Sequence, residues 1–345
     1  MEYCEIPSEK VRLLGRMDET QRPLCLDWTG SGFEVRFKGK ALWAELEASA
    51  EGKGMWVSVT VDGYPVSRFL VETGKRWFPL VYDLTGDVER TVALHKDTQA
   101  SDNCVMLYGI RYEGELLPLP EPSMKIEFVG DSITSAEGAL APHHDDEFSA
   151  MWYSSVENYA HYCCRELGAE GRLMSRGGIG VCWDWQFRRE GNIADSYEKI
   201  VGLVKCEDGI ARGCQKDHDF TKWKPDIVCI RLTANDIGGI KREIAAGRGD
   251  GLKEELKNGA AAFIRKVHRY NPQAKIIWIL PSTKSIPSIA VQAVISVCGE
   301  IPDVFYFDAP DYRDEELAAR NHPDGRYHER CGKELARFIG RITKQ

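Results

Sequence analysis

The 345-residue chain has no run of apolar residues long enough to cross a membrane and no excess of basic charge. A membrane-spanning helix needs about 20 consecutive apolar residues, so the sequence predicts no membrane partner. The formal net charge is −8, whereas proteins that bind nucleic acid through its phosphates present a basic surface. We therefore expect no nucleic-acid partner either.

The chain also lacks a recognisable targeting segment and a cysteine pattern. Its start, MEYCE, has neither the basic nor the apolar region of a secretory signal. The eleven Cys are scattered and form no Cys-x-x-Cys pair of the zinc-binding kind. Free thiols in a reducing compartment are the simplest interpretation. We expect a cytoplasmic protein without a metal or a cofactor, and nothing in the sequence indicates its oligomeric state.

The sequence divides into two halves in which apolar residues recur with different periods. Up to residue 116, apolar and polar residues alternate, as in FEVRF at 33–37 and MWVSV at 55–59, and turn sequences such as Asp62-Gly63 separate the segments. Many short strands at close spacing predict a β-sandwich of jelly-roll type over residues 1–116. The stiff, Pro-rich stretch LPLPEP at 117–122 is expected to connect it to the second half.

Beyond this connector, short apolar runs alternate with helical patterns. The predicted strands lie at 126–129, 227–232, 276–280 and 304–307, and the predicted helices at 154–167, 252–270, 289–298 and 327–342. This alternation is typical of a parallel sheet covered on both faces by helices. We therefore predict an α/β domain over residues 123–345.

One turn in the second half stands out as a candidate for chemistry. Gly130-Asp131-Ser132 follows the first predicted strand, and the carboxyl ends of strands are where open α/β sheets place their ligands. A serine hydroxyl needs a base to act as a nucleophile. His322, in Asn321-His322-Pro323 just before the last helix, would take that proton and return it to the leaving alcohol. The pattern predicts a serine esterase.

An esterase also needs donors for the oxyanion. We expect the backbone N–H groups of Ser132 and Gly178, the latter in RGGIG at 176–180, and the side-chain amide of Asn235, in LTAND at 232–236. Gly178 suits this role because a residue without a side chain allows close approach of its backbone. Asp131 and Asp236 are expected to fix the two turns by local hydrogen bonds.

The four blocks, in this order, resemble the SGNH hydrolases, also called the GDSL family, over roughly residues 123–345. That resemblance implies a flavodoxin-like α/β/α fold, with Ser132, Gly178, Asn235 and His322 as the four family residues. LDWTGSG at 26–32, the jelly-roll pattern and IEFVGDSIT at 126–134 look like carbohydrate esterase family two. Members of that family join a jelly roll to an SGNH domain and remove acetyl groups from plant polysaccharides.

The sequence departs from the family pattern in two places. Thr233 stands where the third block usually has Gly, which is expected to change that turn. Ala319 stands three residues before His322, where the family usually has its acid. We expect a backbone carbonyl to orient His322 instead, as the resemblance allows. The alternative acids, which spacing alone does not exclude, are Asp308, Asp311, Asp314 and Asp324.

Several tryptophans and histidines are further candidates for binding a substrate or a metal. Trp152, Trp183 and Trp185 follow the Ser132 and Gly178 blocks, and at least one is expected to form a platform for a sugar ring. HHDDE at 143–147 offers metal ligands, but adjacent residues rarely face one ion, so we interpret it as a solvated loop. We interpret His328, six residues after His322, as structural.

The expected function is removal of O-acetyl groups from hemicellulose-derived manno- or xylo-oligosaccharides. Two alternatives stay open at this point. One is an acyl esterase or lipase-like hydrolase of other short esters, and the other is a carbohydrate-binding protein whose hydrolase domain is degenerate.

Overall fold

The computed structural model describes residues 1–50, 54–280 and 287–344. The first half of the chain contributes antiparallel strands to one sheet of nine. They are β1 (Glu2–Glu5), β2 (Arg12–Leu14), β3 (Leu24–Leu26), β4 (Gly32–Ala48), β5 (Met55–Val61), β6 (Tyr64–Val71), β7 (Arg76–Val81), β8 (Glu89–Lys96) and β9 (Val105–Leu117).

Two long strands fold this sheet over its own core. The first part of β4 pairs with β8 and its second part with β7, while β9 pairs with β4 from Arg36 to Ala48. The register of β4 with β9 shifts at Gly39, where a Cβ on Gly114 would lie 2.4 Å from the Gly39 Cα. Because Gly39 and Gly114 have no side chains, the two strands can approach closely there and bend. The inward residues, such as Phe33, Val35 and Phe37, are fully buried, and the predicted antiparallel β-sandwich class is confirmed.

The second half builds a five-stranded parallel sheet in the order β11-β10-β12-β13-β14. Its strands are β10 (Lys125–Gly130), β11 (Glu170–Ser175), β12 (Ile227–Arg231), β13 (Lys275–Leu280) and β14 (Val304–Asp308). The helices are α1 (Tyr159–Leu167), α2 (Ile193–Ser196), α3 (Glu207–Ala211), α4 (Ala234–Ala245), α5 (Leu252–Tyr270), α6 (Pro287–Val297) and α7 (Gly325–Ile342), with short 3₁₀ turns at Ala150–Trp152, Asp314–Glu316 and Ala319–Asn321.

Both faces of this sheet are buried. Val228 and Ile230 of β12 point into a core shared with α5, whereas Cys229 between them points into a core shared with α1 and α7. A strand buried on both faces needs apolar residues at every position, which is why these strands appear as continuous apolar runs. The predicted α/β class is confirmed.

Helix α1 begins five residues later than the sequence pattern predicts. The Asn158 side chain accepts a hydrogen bond from the Ala160 N–H at 2.9 Å and so caps the helix. Residues 154–157 precede this cap and are not helical.

The topology gathers four loops at one edge. Strand β10 lies between β11 and β12, so the chain leaves β10 in one direction and later returns on its other side. Such a reversal opens a crevice at the carboxyl ends of the strands. Ser132 and Gly178 lie in the loops after β10 and β11, Asn235 lies in the first turn of α4 after β12, and His322 lies in the segment before α7. Among the described helices, none has both the length and the apolar character that a bilayer span requires.

Candidate active site

The turn after β10 is fixed by close packing and local hydrogen bonds. A Cβ on Gly130 would lie 2.0 Å from the Thr134 Oγ1, so only glycine fits. The buried Asp131 accepts the Ile133 N–H at 3.1 Å through its carboxylate and the Ser135 N–H at 3.0 Å through its carbonyl. Asp131 therefore holds the turn, while the neighbouring Ser132 is left half-exposed at the edge of the sheet.

Ser132 and His322 meet although 190 positions separate them in the sequence. The Ser132 Oγ lies 2.8 Å from the His322 Nε2. On the other side of the ring, Nδ1 lies 3.3 Å from the Ala319 carbonyl oxygen and 3.2 Å from that of Arg320. Carbonyls only accept hydrogen bonds, so this arrangement favours the tautomer with its proton on Nδ1. Nε2 is then free to accept the hydroxyl proton of Ser132.

The segment before His322 is a tight, left-handed turn. Arg320 and Asn321 have φ values of 54° and 60°, a region that residues other than glycine seldom adopt. The His322 N–H donates to the Ala319 carbonyl at 2.9 Å, and the Ala318 N–H donates to the His322 carbonyl at 2.7 Å. This turn directs two carbonyls toward the same imidazole nitrogen.

The four aspartates considered from the sequence lie elsewhere. Asp308, Asp311 and Asp314 are exposed, and Asp324 caps α7 by accepting the Arg326 and Tyr327 N–H groups. Their positions agree with the expectation that a carbonyl orients His322.

Sequence reasoning missed one acid near the histidine. Among the described carboxylates, Glu137 is the one within 4.0 Å of the His322 ring nitrogens, with its Oε2 at 4.0 Å from Nε2. It lies on the Ser132 side of the ring rather than on the Nδ1 side. Glu137 accepts hydrogen bonds from the Tyr153 hydroxyl at 2.9 Å and the Arg320 guanidinium at 3.1 Å. Its position five residues after Ser132, in the same turn, was the available indication.

The loop after β11 presents Gly178 with a φ of 80°. A Cβ there would lie 2.6 Å from the Trp185 Cδ1, so the indole packs directly against the glycine. Asn235 lies in the first turn of α4, and its Nδ2 donates to the Ile179 carbonyl at 2.8 Å. This bond ties Asn235 to the Gly178 loop and leaves the second amide proton available to a ligand.

Thr233 occupies the position where the family pattern has glycine, and it adopts a backbone that glycine would adopt more easily. Its φ is 90°, which is strained for a β-branched residue. Its buried Oγ1 has no hydrogen-bond partner among the described residues. Thr233 therefore holds a left-handed backbone at the expense of strain, and the expectation that it changes the turn relative to the family pattern stays a prediction.

Asp236, next to Asn235, holds the far side of the Gly178 loop. Its two carboxylate oxygens accept the backbone N–H groups of Val181, Cys182 and Trp183 at 3.0, 2.8 and 2.9 Å. Burial raises the pKa of Asp236 to about 6, although these hydrogen bonds act in the opposite direction. Asp236 therefore fixes a loop, but it is the Gly178 loop more than 50 positions away and not its own turn by the local hydrogen bonds that the sequence predicts.

The sequence and the fold are both similar to those of known proteins. The model described as carbohydrate esterase 2 N-terminal matches residues 13–120. A solved acetyl xylan esterase from the rumen bacterium Butyrivibrio proteoclasticus is 27% identical, with a TM-score of 0.94, over 99% of this chain and 98% of that one. The chain belongs to carbohydrate esterase family 2. It is therefore a carboxylic ester hydrolase.

Two curated relatives are also similar to this family 2 esterase. An acetylxylan esterase / glucomannan deacetylase from Cellvibrio japonicus is 22% identical over 96% of this chain and 88% of its own length. The cellulase/esterase CelE from Acetivibrio thermocellus is 30% identical over 65% of this chain. The match spans 26% of the length of CelE.

The three tryptophans differ in what they can offer a substrate of this esterase. Trp185 is 56% exposed and packs against Gly178. Trp152 is half-buried in a 3₁₀ turn, and its indole N–H is buried without a partner among the described residues. Trp183 is 1% exposed and stacks on Phe187 at 4.9 Å. The prediction that Trp183 binds sugar is therefore corrected, because no face of its ring is accessible.

The structure also places the other histidines that were considered from the sequence. His143 and His144 come together with Asp314, their ligand atoms within 4.8 Å of one another on the exposed surface. The sequence pattern did not anticipate Asp314 there. His328 is fully buried, and its Nδ1 accepts the Tyr159 N–H at 3.2 Å. Burial lowers the pKa of His328 to about 3, so it stays neutral and supports the helix packing.

Side chains of the sandwich, among them Gln99 and Arg68, contact the segments next to the candidate site. Gln99 accepts the Gly177 N–H with its amide oxygen, next to Gly178. Arg68 donates to the Met151 and Tyr153 carbonyls at 3.0 Å each and is itself held by Asp97 at 2.8 Å. No sequence motif indicated these contacts, because they join positions far apart in the chain.

Proposed function

We propose that this family 2 esterase is a serine-dependent O-acetyl esterase that removes acetyl groups from hemicellulose-derived manno- or xylo-oligosaccharides. The observation that carries the serine mechanism is the 2.8 Å contact between the Ser132 Oγ and the His322 Nε2, combined with two carbonyls at Nδ1. The similarity to an acetyl xylan esterase and to an acetylxylan esterase / glucomannan deacetylase supports an acetylated polysaccharide-derived substrate.

In the first half-reaction, the Ser132 Oγ attacks the acetyl carbonyl carbon while its proton passes to His322 Nε2. Collapse of the tetrahedral intermediate breaks the bond between the acetyl carbon and the sugar oxygen. His322 gives the proton to that oxygen, so the sugar leaves as an alcohol and Ser132 carries the acetyl group.

In the second half-reaction, water replaces the sugar. His322 Nε2 takes one proton from the water, whose oxygen attacks the acetyl carbon, and then returns that proton to the Ser132 Oγ. The other proton of the water leaves with the product as acetic acid, which ionises to acetate in solution. During both steps the negative oxygen would accept hydrogen bonds from the Ser132 and Gly178 N–H groups and the free Asn235 amide proton. One such donor typically contributes about 100- to 1000-fold in kcat.

The sugar would stack on an exposed aromatic face. Trp185 lies beside the oxyanion loop and is more than half exposed, which is the disposition of a ring platform. Trp152 is tied to the segment that follows the Ser132 turn, because its carbonyl accepts the Leu140 N–H at 3.1 Å. We propose Trp185 as the principal contact and Trp152 as a secondary one.

The test is to incubate the protein with acetylated manno- and xylo-oligosaccharides and follow the acetyl resonances by NMR. We expect loss of acetyl signals together with release of one acetate for each acetyl removed. Ser132→Ala should release none, whereas Ser67→Ala, a matched change at an exposed strand residue, should behave as the parent.

Two results would overturn the proposal. Faster hydrolysis of a decanoyl ester than of an acetyl ester would favour the lipase-like alternative. Binding of the oligosaccharides by both the parent and Ser132→Ala, with no acetate released by either, would favour the degenerate binding protein.

A further inference from the structure

We propose that Glu137 is a positioning residue that substitutes indirectly for the missing acid. Its ion pair with Arg320 holds the left-handed turn whose carbonyls orient His322. The inference rests on the proposed serine mechanism and explains how an esterase with Ala319 at the acid position keeps its histidine in the productive tautomer.

Glu137 is itself held firmly. Its side chain is 9% exposed, and its Oε2 accepts the hydroxyl of Tyr153, which is 2% exposed. Burial raises the pKa of Tyr153, so this hydroxyl keeps its proton and remains a donor. Arg68 of the sandwich in turn holds the Tyr153 carbonyl at 3.0 Å. The carboxylate is therefore a fixed point, anchored through both domains.

Arg320, the residue that Glu137 holds, has an unusual backbone conformation. Its φ is 54°, and left-handed backbone is unfavourable for residues that carry a Cβ. Two hydrogen bonds hold it there: its N–H donates to the Asp145 carbonyl at 2.7 Å, and its guanidinium donates to Glu137 at 3.1 Å. The guanidinium also lies 5.5 Å from the centre of the Phe148 ring. The Arg320 carbonyl oxygen then lies 3.2 Å from the His322 Nδ1. If the turn relaxed to right-handed backbone, this carbonyl would leave the imidazole.

A direct electrostatic role for Glu137 is the competing explanation. Its Oε2 is 4.0 Å from the His322 Nε2, where positive charge develops during acyl transfer. The other charged or titratable groups facing this imidazole are Ser132, Arg320, Asp131 and the neutral His328. Because the Arg320 guanidinium lies 3.1 Å from Glu137, the pair has no net charge, which favours positioning over charge stabilisation.

Substitutions at Arg320 separate backbone strain from the side-chain anchor. Arg320→Ala removes the anchor and leaves a residue that is strained in this backbone, whereas Arg320→Gly removes the anchor and the strain together. We expect Arg320→Ala to lower kcat on p-nitrophenyl acetate by about 5- to 30-fold, which corresponds to the conformational cost of one left-handed residue. The kcat of Arg320→Gly on the same ester should stay within about threefold of the parent value.

Glu137→Gln tests the anchor itself. Gln retains an acceptor for Tyr153 but loses the charge that binds Arg320, so we expect kcat to fall by about 5- to 30-fold with KM nearly unchanged. In the Arg320→Gly background the same substitution should cost less than about twofold, because the turn no longer depends on the pair. Glu147→Gln, an exposed carboxylate of a nearby loop, is the matched control.

The tautomer of His322 gives a readout that does not depend on esterase activity. Nitrogen-15 NMR of the imidazole should show Nδ1 protonated in the parent and in Arg320→Gly, and a larger share of the Nε2-protonated form in Glu137→Gln and Arg320→Ala. This measurement separates failure of the positioning proposal from failure of the proposed function, since an inactive parent can still show the tautomer shift.

Two outcomes would overturn the proposal. If Glu137→Gln costs as much in the Arg320→Gly background as in the parent, Glu137 acts directly on the imidazolium charge. If Glu137→Gln matches Glu147→Gln in both kcat and tautomer, Glu137 has no positioning role. Should Arg320→Ala fail to fold, Glu137→Gln and Arg320→Gly still decide between these results.

Discussion

The sandwich and the α/β domain differ in where they place strained backbone. In the described part of the sandwich, the residues other than glycine with positive φ are Asp62 and Asp83. Aspartate tolerates this region in turns because its side chain can bond locally. In the α/β domain the same region holds Thr233 and Arg320, which tolerate it poorly.

Most of the strained residues described in the α/β domain lie near the proposed chemistry. Four of the six are within four residues of a proposed catalytic or oxyanion residue: Ala136 after Ser132, Thr233 before Asn235, and Arg320 and Asn321 before His322. The other two, His144 and Phe187, lie farther along the chain from these residues. Such conformations persist only where the surrounding structure fixes them. The comparison teaches that the sandwich is built from locally favourable turns, whereas the catalytic edge depends on contacts made elsewhere in the fold.

The largest expected effect is removal of the nucleophile at this edge. Ser132→Ala should reduce acetate release from p-nitrophenyl acetate by at least about 10⁴-fold, and His322→Ala nearly as much, because the two act as a unit. Circular dichroism and thermal unfolding should match the parent. Activity of Ser132→Ala within tenfold of the parent would contradict the assignment.

The next effect tests whether the sandwich contributes to the catalytic edge. Gln99→Ala removes the acceptor of the Gly177 N–H. The loop that carries Gly178 should then be held less precisely in position. We expect kcat on acetyl esters to fall by roughly tenfold, since misplacement far from the chemistry can cost up to about 100-fold. Gln292→Ala, at an exposed position of α6, is the control. Equal kcat values for both variants would show that the sandwich is a passive neighbour.

A smaller effect is expected at the aspartates that lie away from His322. Replacing Asp308, Asp311, Asp314 and Asp324 one at a time by Asn should lower kcat by less than about tenfold, whereas loss of the acid from a full triad costs roughly 10⁴-fold. Steady-state kinetics on p-nitrophenyl acetate measures this. A folded single variant as inactive as His322→Ala would reveal a triad and contradict the carbonyl-oriented pair.

The smallest effect concerns stability and addresses the strain itself. Thr233→Gly should raise the free energy of unfolding by about 1 kcal/mol, because relief of one strained residue outweighs the added flexibility of glycine in the unfolded chain. Denaturant unfolding measures the change. Thr91→Gly, in the regular strand β8, should instead destabilise, and a similar loss at Thr233 would show that its turn is unstrained.

The parts of the site that can be predicted are those that short segments of the sequence specify. The Gly-Asp-Ser turn, Asn235 and His322 each follow or precede an element whose periodicity is visible in the sequence, so their common edge could be predicted. Glu137 could not be assigned a role in the same way, because its importance depends on Tyr153 and Arg320, which are 16 and 183 positions away. The cytoplasmic location and the domain limits stay predictions.

Trp183 and Trp185 show the same division at single-residue scale. Both follow the Gly178 block two positions apart, and composition treats them alike. Only packing decides that one indole stacks on Phe187 in the core while the other lies exposed against Gly178.

By itself, the sequence determined the two folds and the order of the four proposed catalytic blocks, because hydrophobic periodicity and turn residues act over a few positions. The tertiary structure decided how His322 is oriented and which tryptophan can meet a sugar. It also decided that Thr233 and Arg320 occupy left-handed backbone, since only contacts between distant segments can hold residues in conformations that their own side chains disfavour.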